Sequence, residues 1–215
     1  MLKVHTKVVT AIAQNARVLE CTESKECVIV DPGGEAQKIL KIIEENGLTC
    51  KAVWLTHSHL DHCGGVKPIL DKLSIPLVAH PGEQINRANV VRTAQMFGLP
   101  ASDWFNCPEP TQEIVGDERL SFGKLSAQVL FTPGHSPGHV SFYFPSDSTV
   151  ISGDTLFEGS IGRTDLPGGN HETLIQSIKE KLLTLPDDTA VLSGHGEDTT
   201  IGREKRTNPY VATTR

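Results

Sequence analysis

Residues 56–65 read THSHLDHCGG, which puts His57, His59, Asp61 and His62 into six consecutive positions, 57–62. The run leaves an apolar β-type stretch, KAVWL at 51–55, and leads into a helix expected near Val66. Alternate residues of an extended segment share a face, so His57 and His59 can address one ion. Asp61 and His62 then turn with the chain toward a second position. Imidazole together with carboxylate is the donor set of Zn, Fe or Mn, and one ion rarely draws four ligands from so short a stretch. The spacing suggests two metals.

The same chemistry recurs at other strand ends. Runs rich in β-forming residues lie at 27–34 (CVIVDPGG), 51–57 (KAVWLTH), 74–80 (SIPLVAH), 126–135 (SAQVLFTPGH), 148–154 (STVISGD) and 189–195 (TAVLSGH). His135 follows LFTPG, Asp154 follows ISG and His195 follows LSG. Functional side chains are commonly placed at strand termini beside glycine, where a rigid sheet positions them. Seven candidate ligands at four strand ends outweigh the alternative of a merely histidine-rich loop. Between the strands, EAQKILKIIEENG carries Ile39, Leu40, Ile42 and Ile43 with Gly47 as a stop, and HETLIQSIKEKLLTLP carries Leu174, Ile175, Ile178, Leu182 and Leu183. Strand, Asp31, helix, strand, His57 in the first half matches strand, Asp154, helix, strand, His195 in the second, a weak internal repeat. No low-complexity linker separates the halves, so a single domain over 1–215 is expected. The stretch 81–118 reads as an irregular surface insertion, with Trp104 and Phe105 as pocket walls.

Composition narrows the setting. A chain of 215 residues, 38% hydrophobic and 21% charged, can bury a sizeable core, which argues against disorder. The net charge of -6 disfavours a nucleic-acid partner. The N-terminus shows neither a signal peptide nor a membrane span, so a cytoplasmic protein without a membrane partner is expected. Five scattered cysteines without a C-x-x-C pair read as free thiols.

H-x-H-x-D-H at 57–62, TPGHSPGH at 132–139, SGD at 152–154 and SGH at 193–195 resemble the metallo-β-lactamase superfamily across nearly the whole chain. GDTLFEGSIGRTDLPGGNHETLIQSI and the ending TTIGREKRTNPYV are most similar to compact bacterial glyoxalase II-like (hydroxyacylglutathione hydrolase-like) proteins. The resemblance implies an α/β fold, the αβ/βα four-layer sandwich. It also implies that His57, His59 and His135 hold one divalent metal, that Asp61, His62 and His195 hold a second, and that Asp154 bridges them. Zn is the first choice, with Fe or Mn as alternatives. His139 stands outside this ligand set and reads as a supporting residue. His171 belongs to a helix start, and His5 and His80 fall in no constellation. Asp31 is expected to orient a loop or a ligand, and Cys63 is not expected to ligate.

The chemistry implied is attack of a metal-bridging hydroxide on a thioester of the S-D-lactoylglutathione type, with Asp61 orienting or relaying a proton. Thiolates leave readily, so no serine or cysteine nucleophile is needed. Arg163, in GSIGRTD, matches a basic position that in glyoxalase II enzymes contacts a glutathione carboxylate; the alternative is that it pairs with Asp165 and shapes the loop. The partner is thus a small-molecule thioester, of a glutathione-linked kind, acted on by a monomer or small homo-oligomer. Longer glyoxalase II enzymes carry a C-terminal helical domain and a tyrosine just after the last histidine motif. Here Gly196, Glu197 and Asp198 follow His195 and about twenty residues remain, so thiol recognition is expected to be weaker or differently built. Persulfide dioxygenases, binding one iron through the His57, His135 and Asp154 equivalents, share most of these motifs. Lactone or β-lactam hydrolysis remains open on the same metal chemistry, and a non-catalytic metal module would be expected to lack a ligand.

Overall fold

The structure is a computed structural model that describes residues 1–100 and 104–212. The chain forms two compact units, one of Met1–Ile114 with Ser121–Leu125, the other of Val115–Leu120 with the residues from Ser126 onward.

In the first unit a six-stranded sheet runs in chain order through β1 (Leu2–Val9), β2 (Gln14–Cys21), β3 (Glu26–Val30), β4 (Thr49–Trp54), β5 (Leu77–Ala79) and β6 (Gln112–Glu113). The first three strands pair antiparallel, and β3 to β6 pair parallel. Parallel neighbours need crossover connections. Helix α1 (Ala36–Glu45) supplies the one from β3 to β4, and α2 (Leu60–Cys63) with α3 (Val66–Leu73) the one from β4 to β5. Ile39 and Ile43 of α1 and Val66 and Ile69 of α3 pack with Val18, Ile29 and Val53 into one core, so the apolar stripes read from sequence are the buried ones. Leu40 and Ile42 are only partly buried against it.

The second sheet has the order β14-β13-β10-β9-β8-β7, built from β7 (Arg119–Phe122), β8 (Leu125–Phe131), β9 (Val140–Phe144), β10 (Thr149–Gly153), β13 (Ala190–Ser193) and β14 (Thr199–Thr200). A separate hairpin of β11 (Leu156–Phe157) and β12 (Ser160–Ile161) follows β10 directly. Strands β10 and β13 are parallel. Their crossover is α6 (His171–Ser177), continued by a π-helical turn over Ile178–Leu182. Leu174, Ile178 and Leu182 pack with Val150, Val191 and Ile201 of α7 (Ile201–Thr207). Asn170 caps α6 by accepting from the Thr173 N–H, and His171 opens the helix. Each unit thus holds one strand-Asp-helix-strand-His passage, β3-α1-β4 and β10-α6-β13, as the repeat in the sequence implies.

Two sequence expectations change. Of the stretch 81–118, the part up to Ile114 is integral to the first unit: α4 (Gln84–Ala88) and α5 (Val90–Met96) lie within it, and Val90, Ala94, Trp104 and Cys107 join the core. Its residues 101–103 lie outside the described residues. Trp104 is therefore a core side chain rather than a pocket wall, whereas Phe105 stays exposed. The second change concerns β1, β2 and β9. LKVHTKVV alternates weakly, and VSFYF sits in a run whose glycines read as loop, so all three pass unnoticed until pairing is seen.

Candidate functional site

In the first unit β4 ends at Trp54, residues 55–59 form an irregular connection that bends at Thr56, and α2 begins at Leu60. His57 and His59 therefore lie on this connection, and Asp61 and His62 on a helical turn. Their rings are close: the His57 centroid is 4.8 Å from that of His59 and 4.0 Å from that of His62. The His62 Nε2 lies 3.8 Å from an Asp61 carboxylate oxygen.

Asp31 holds this group from behind. It follows β3 directly with φ 50, a left-handed conformation that aspartate tolerates better than most residues. One carboxylate oxygen accepts the Thr56 N–H at 2.7 Å; the other accepts the Thr56 hydroxyl at 2.6 Å and faces His62 Nδ1 at 3.0 Å. With its proton directed to Asp31, the Thr56 hydroxyl can accept from His57 Nδ1, 3.1 Å away. One carboxylate thereby assigns the Nδ1 proton of two imidazoles and turns both Nε2 lone pairs outward, the state a metal requires. Asp31, His57 and His62 do offer ligand atoms within 4.8 Å of one another. Because both Asp31 oxygens already accept hydrogen bonds, its place is that of an orienting group.

In the second unit His135, Asp154 and His195 come together. One Asp154 carboxylate oxygen lies 3.6 Å from His135 Nε2 and 3.6 Å from His195 Nε2. Two ligands of one tetrahedral ion with bonds of about 2.0–2.2 Å stand roughly 3.3–3.6 Å apart, so this spacing suits donors that share a cation. His135 Nδ1 donates to the Arg163 carbonyl at 2.7 Å, which again frees Nε2. His139 is buried, with Nδ1 against the hydroxyls of Thr132 and Thr155 at 2.9 and 3.1 Å, while Nε2 accepts the Asp154 N–H at 3.1 Å. It fixes the Asp154 backbone, the supporting role expected of it. Phe157 stands edge-on to His195, with centroids 6.3 Å apart.

A glycine lies against the backbone of the carboxylate in each unit. A Cβ on Gly33 would sit 1.5 Å from the Asp61 carbonyl oxygen, and one on Gly162 would sit 1.9 Å from that of Asp154. No side chain fits either place.

The donors fit divalent metals of the Zn, Fe and Mn kind: imidazole nitrogens with anchored Nδ1 atoms, and carboxylates. Cys63 is buried with its thiol against the Ser58 carbonyl, and burial, joined by Cys107, pushes that thiol well up, which disfavours a thiolate ligand. Arg163 is exposed and forks onto Asp165 at 2.7 and 2.6 Å. That hydrogen bond holds the Asp165 carboxyl down to about 2. His5 pairs with the buried Glu20, and His80 caps a turn by accepting from the Gly82 N–H. Glu83 escapes sequence reasoning: buried in PGEQ, its carboxylate accepts the Ser58 N–H at 3.0 Å, between two expected ligands. No motif surrounds it, and only the fold brings it there.

Residues 9–195 match the model of the metallo-beta-lactamase superfamily, and the chain belongs to that superfamily. Two relatives follow in sequence. "Probable metallo-hydrolase YqgX" of Bacillus subtilis is 46% identical over 86% of this chain and 87% of its own. "Hydroxyacylglutathione hydrolase GloC" of Haemophilus influenzae is 40% identical over 94% of this chain and 95% of its own. Among solved structures, the BLEG-1 B3 metallo-beta-lactamase is similar with TM-score 0.90 at 38% identity, covering 98% of this chain and 100% of that one. TTHA1623, solved in a di-iron-bound form, has TM-score 0.88 at 40% identity, covering 96% and 100%. ETHE1 from Myxococcus xanthus has TM-score 0.79 at 27% identity, covering 98% and 84%. The α/β metallo-β-lactamase fold expected from the sequence is the fold of this chain, and the protein is of the metallo-hydrolase kind.

Proposed function

We propose that the two clusters complete one dinuclear centre and that the protein is a thioester hydrolase of the glyoxalase II type. In it His57, His59 and His135 hold one divalent ion and Asp61, His62 and His195 the other, with Asp154 between them and Zn as the first candidate. The observation that carries the reading is the anchoring of Nδ1 in His57, His62 and His135, which directs three Nε2 donors outward in the same manner. The 40% identity to GloC, a hydroxyacylglutathione hydrolase over nearly its whole length, supports the substrate class.

Divalent ions in such a site supply a water acidic enough to ionise near neutral pH and a positive surface for a carbonyl oxygen. The chain does the rest. Asp61, partly exposed on α2, orients the attacking water and receives its proton, while Asp31 and Glu83 keep the loop beneath it from shifting. The thiolate of a thioester leaves without a dedicated acid. Arg163 has its fork turned onto exposed Asp165, a pair that solvent screens and that a substrate carboxylate can displace. No helix among the described residues is long and apolar enough to cross a membrane, in keeping with a cytoplasmic enzyme acting on a diffusible thioester.

The test is hydrolysis of S-D-lactoylglutathione followed by loss of thioester absorbance, alongside metal analysis of protein purified without added metal. Two ions per chain and thiol release are expected. Arg163→Met should raise KM for the glutathione thioester about tenfold, the equivalent of about 1.4 kcal/mol, and leave a small uncharged thioester unaffected. Equal losses on both substrates would return Arg163 to shaping its loop. The likeness to ETHE1 favours one competing reading, an iron-dependent persulfide dioxygenase, whereas the di-iron form of TTHA1623 keeps iron among the candidates for a dinuclear site. One iron per chain with oxygen uptake on glutathione persulfide would replace the hydrolase reading by that one.

A further inference from the structure

Glu204, on α7, is completely buried, yet every donor the structure gives its carboxylate is neutral. One oxygen accepts the Thr199 hydroxyl at 2.6 Å. The other accepts the Gly159 N–H at 2.9 Å and the Asn208 amide at 2.8 Å. Asn208, also buried, donates in addition to the Ser160 carbonyl at 3.0 Å. Gly159 and Ser160 form the tip and return of the β11–β12 hairpin.

The positions of these partners matter. The hairpin begins two residues after Asp154 and ends just before Gly162 and Arg163, whose carbonyl accepts from His135 Nδ1. Thr199 closes the loop that starts at His195, a loop secured at its other end by the Ser193 hydroxyl on the His195 carbonyl at 2.8 Å. A single carboxylate therefore grips two of the three loops that present expected ligands in the second unit, those of Asp154 and His195. Burying a carboxylate is costly unless its hydrogen bonds are made, and a surface hairpin needs no such group merely to exist.

We propose that Glu204 is a positioning residue for the metal ligands of the second unit: it clamps the hairpin behind Asp154 and the loop behind His195, and so holds the two donors at the separation a shared ion needs. The clamp acts on the ligand set and does not depend on which substrate the enzyme takes.

Hydrogen exchange and metal retention test it without recourse to turnover. In Glu204→Gln, amide exchange in segments 155–163 and 195–199 should accelerate about tenfold or more, while α1 and α3 of the first unit exchange as before. Zinc-loaded Glu204→Gln should lose metal to a competing chelator with about a 10- to 100-fold lower apparent affinity. Thr199→Val removes only the bond to the His195 loop and keeps the side-chain shape. It should reproduce the faster exchange at 195–199, leave 155–163 unchanged, and add nothing further in a Glu204→Gln background. Unchanged exchange and unchanged metal retention in Glu204→Gln would overturn the clamp. Should Glu204→Gln not fold, Thr199→Val decides alone: metal retention and exchange equal to the unmodified protein overturn the proposal. Loss of thioester hydrolysis in the unmodified protein would sink the proposed function while leaving the clamp to be judged on these two readouts.

Discussion

The two units reach the same local topology and use it differently. Each sends a parallel strand to an aspartate, crosses over through a helix, and returns on a strand that ends near a histidine. Asp31, directly after β3, has both oxygens engaged by Thr56 and His62 and sets the orientation of imidazoles. Asp154, just after β10, has its backbone held by His139 and turns an oxygen toward two Nε2 atoms. An aspartate at a strand end is placed to orient neighbours when donors surround it on its own side, and is placed to ligate when its backbone is held and its carboxylate faces imidazole nitrogens.

That contrast can be broken at several points. The largest effect is expected from Asp154→Ala, which should abolish binding of both metals and lower activity about a thousandfold or more, the equivalent of roughly 4 kcal/mol in the barrier. His195→Ala should chiefly cost one ion. Elemental analysis checks both, and a fully metallated, active Asp154→Ala would end the assignment of a bridge.

Next comes Asp31→Asn, chosen because asparagine tolerates the left-handed backbone at φ 50. It should weaken metal affinity about 10- to 100-fold and keep the fold. A loss as severe as that of Asp154→Ala in chelator competition would erase the distinction between the two aspartates.

Gly33→Ala and Gly162→Ala probe the likeness rather than the difference. Each introduces a Cβ onto the carbonyl of a carboxylate residue, at 1.5 and 1.9 Å, so the backbone must move. A destabilisation of about 1–3 kcal/mol is expected for each, read in thermal or denaturant unfolding, with weaker metal retention alongside. If only one of the pair responds, the parallel between the units is superficial.

The smallest effect is a pH dependence in the first unit. The Lys25 hydrogen bond, acting against burial and aided by His5 and Lys3, holds the buried Glu20 carboxyl down from 4.5 to about 2. A lowered carboxyl stabilises the folded chain above its ordinary value, and that contribution fades as pH falls through about 2. Unfolding measured between pH 5 and 2 should steepen in the unmodified protein and flatten in Glu20→Gln.

The sequence displays what local pattern encodes. His57, His59, Asp61 and His62 stand in one motif, and His135, Asp154 and His195 each follow a β-run ending in glycine, so the expected ligands were legible, and so were six of the fourteen strands among the described residues, β3, β4, β5, β8, β10 and β13. The apolar stripes of α1 and α6 likewise announce their buried faces. Residues that act through long-range contact carry no such mark. Glu83 reaches Ser58 across 25 positions and lies in a stretch that reads as loop. Trp104 reads as a pocket wall because aromatic residues in irregular segments often line clefts, whereas it lies in the same core as Val90 and Ala94 of α5.

The Glu204 contacts also set an order in time. Gly159 is 45 positions ahead of the carboxylate that secures it, whereas Asp31 meets Thr56, and Ser58 meets Glu83, across only 25. During synthesis at about 5–20 residues per second, the hairpin behind Asp154 emerges roughly 2–9 s before its anchor exists. The first unit can assemble its supports while the second is still incomplete, so competence to take up metal around Asp154 and His195 is acquired last, after α7 has left the ribosome.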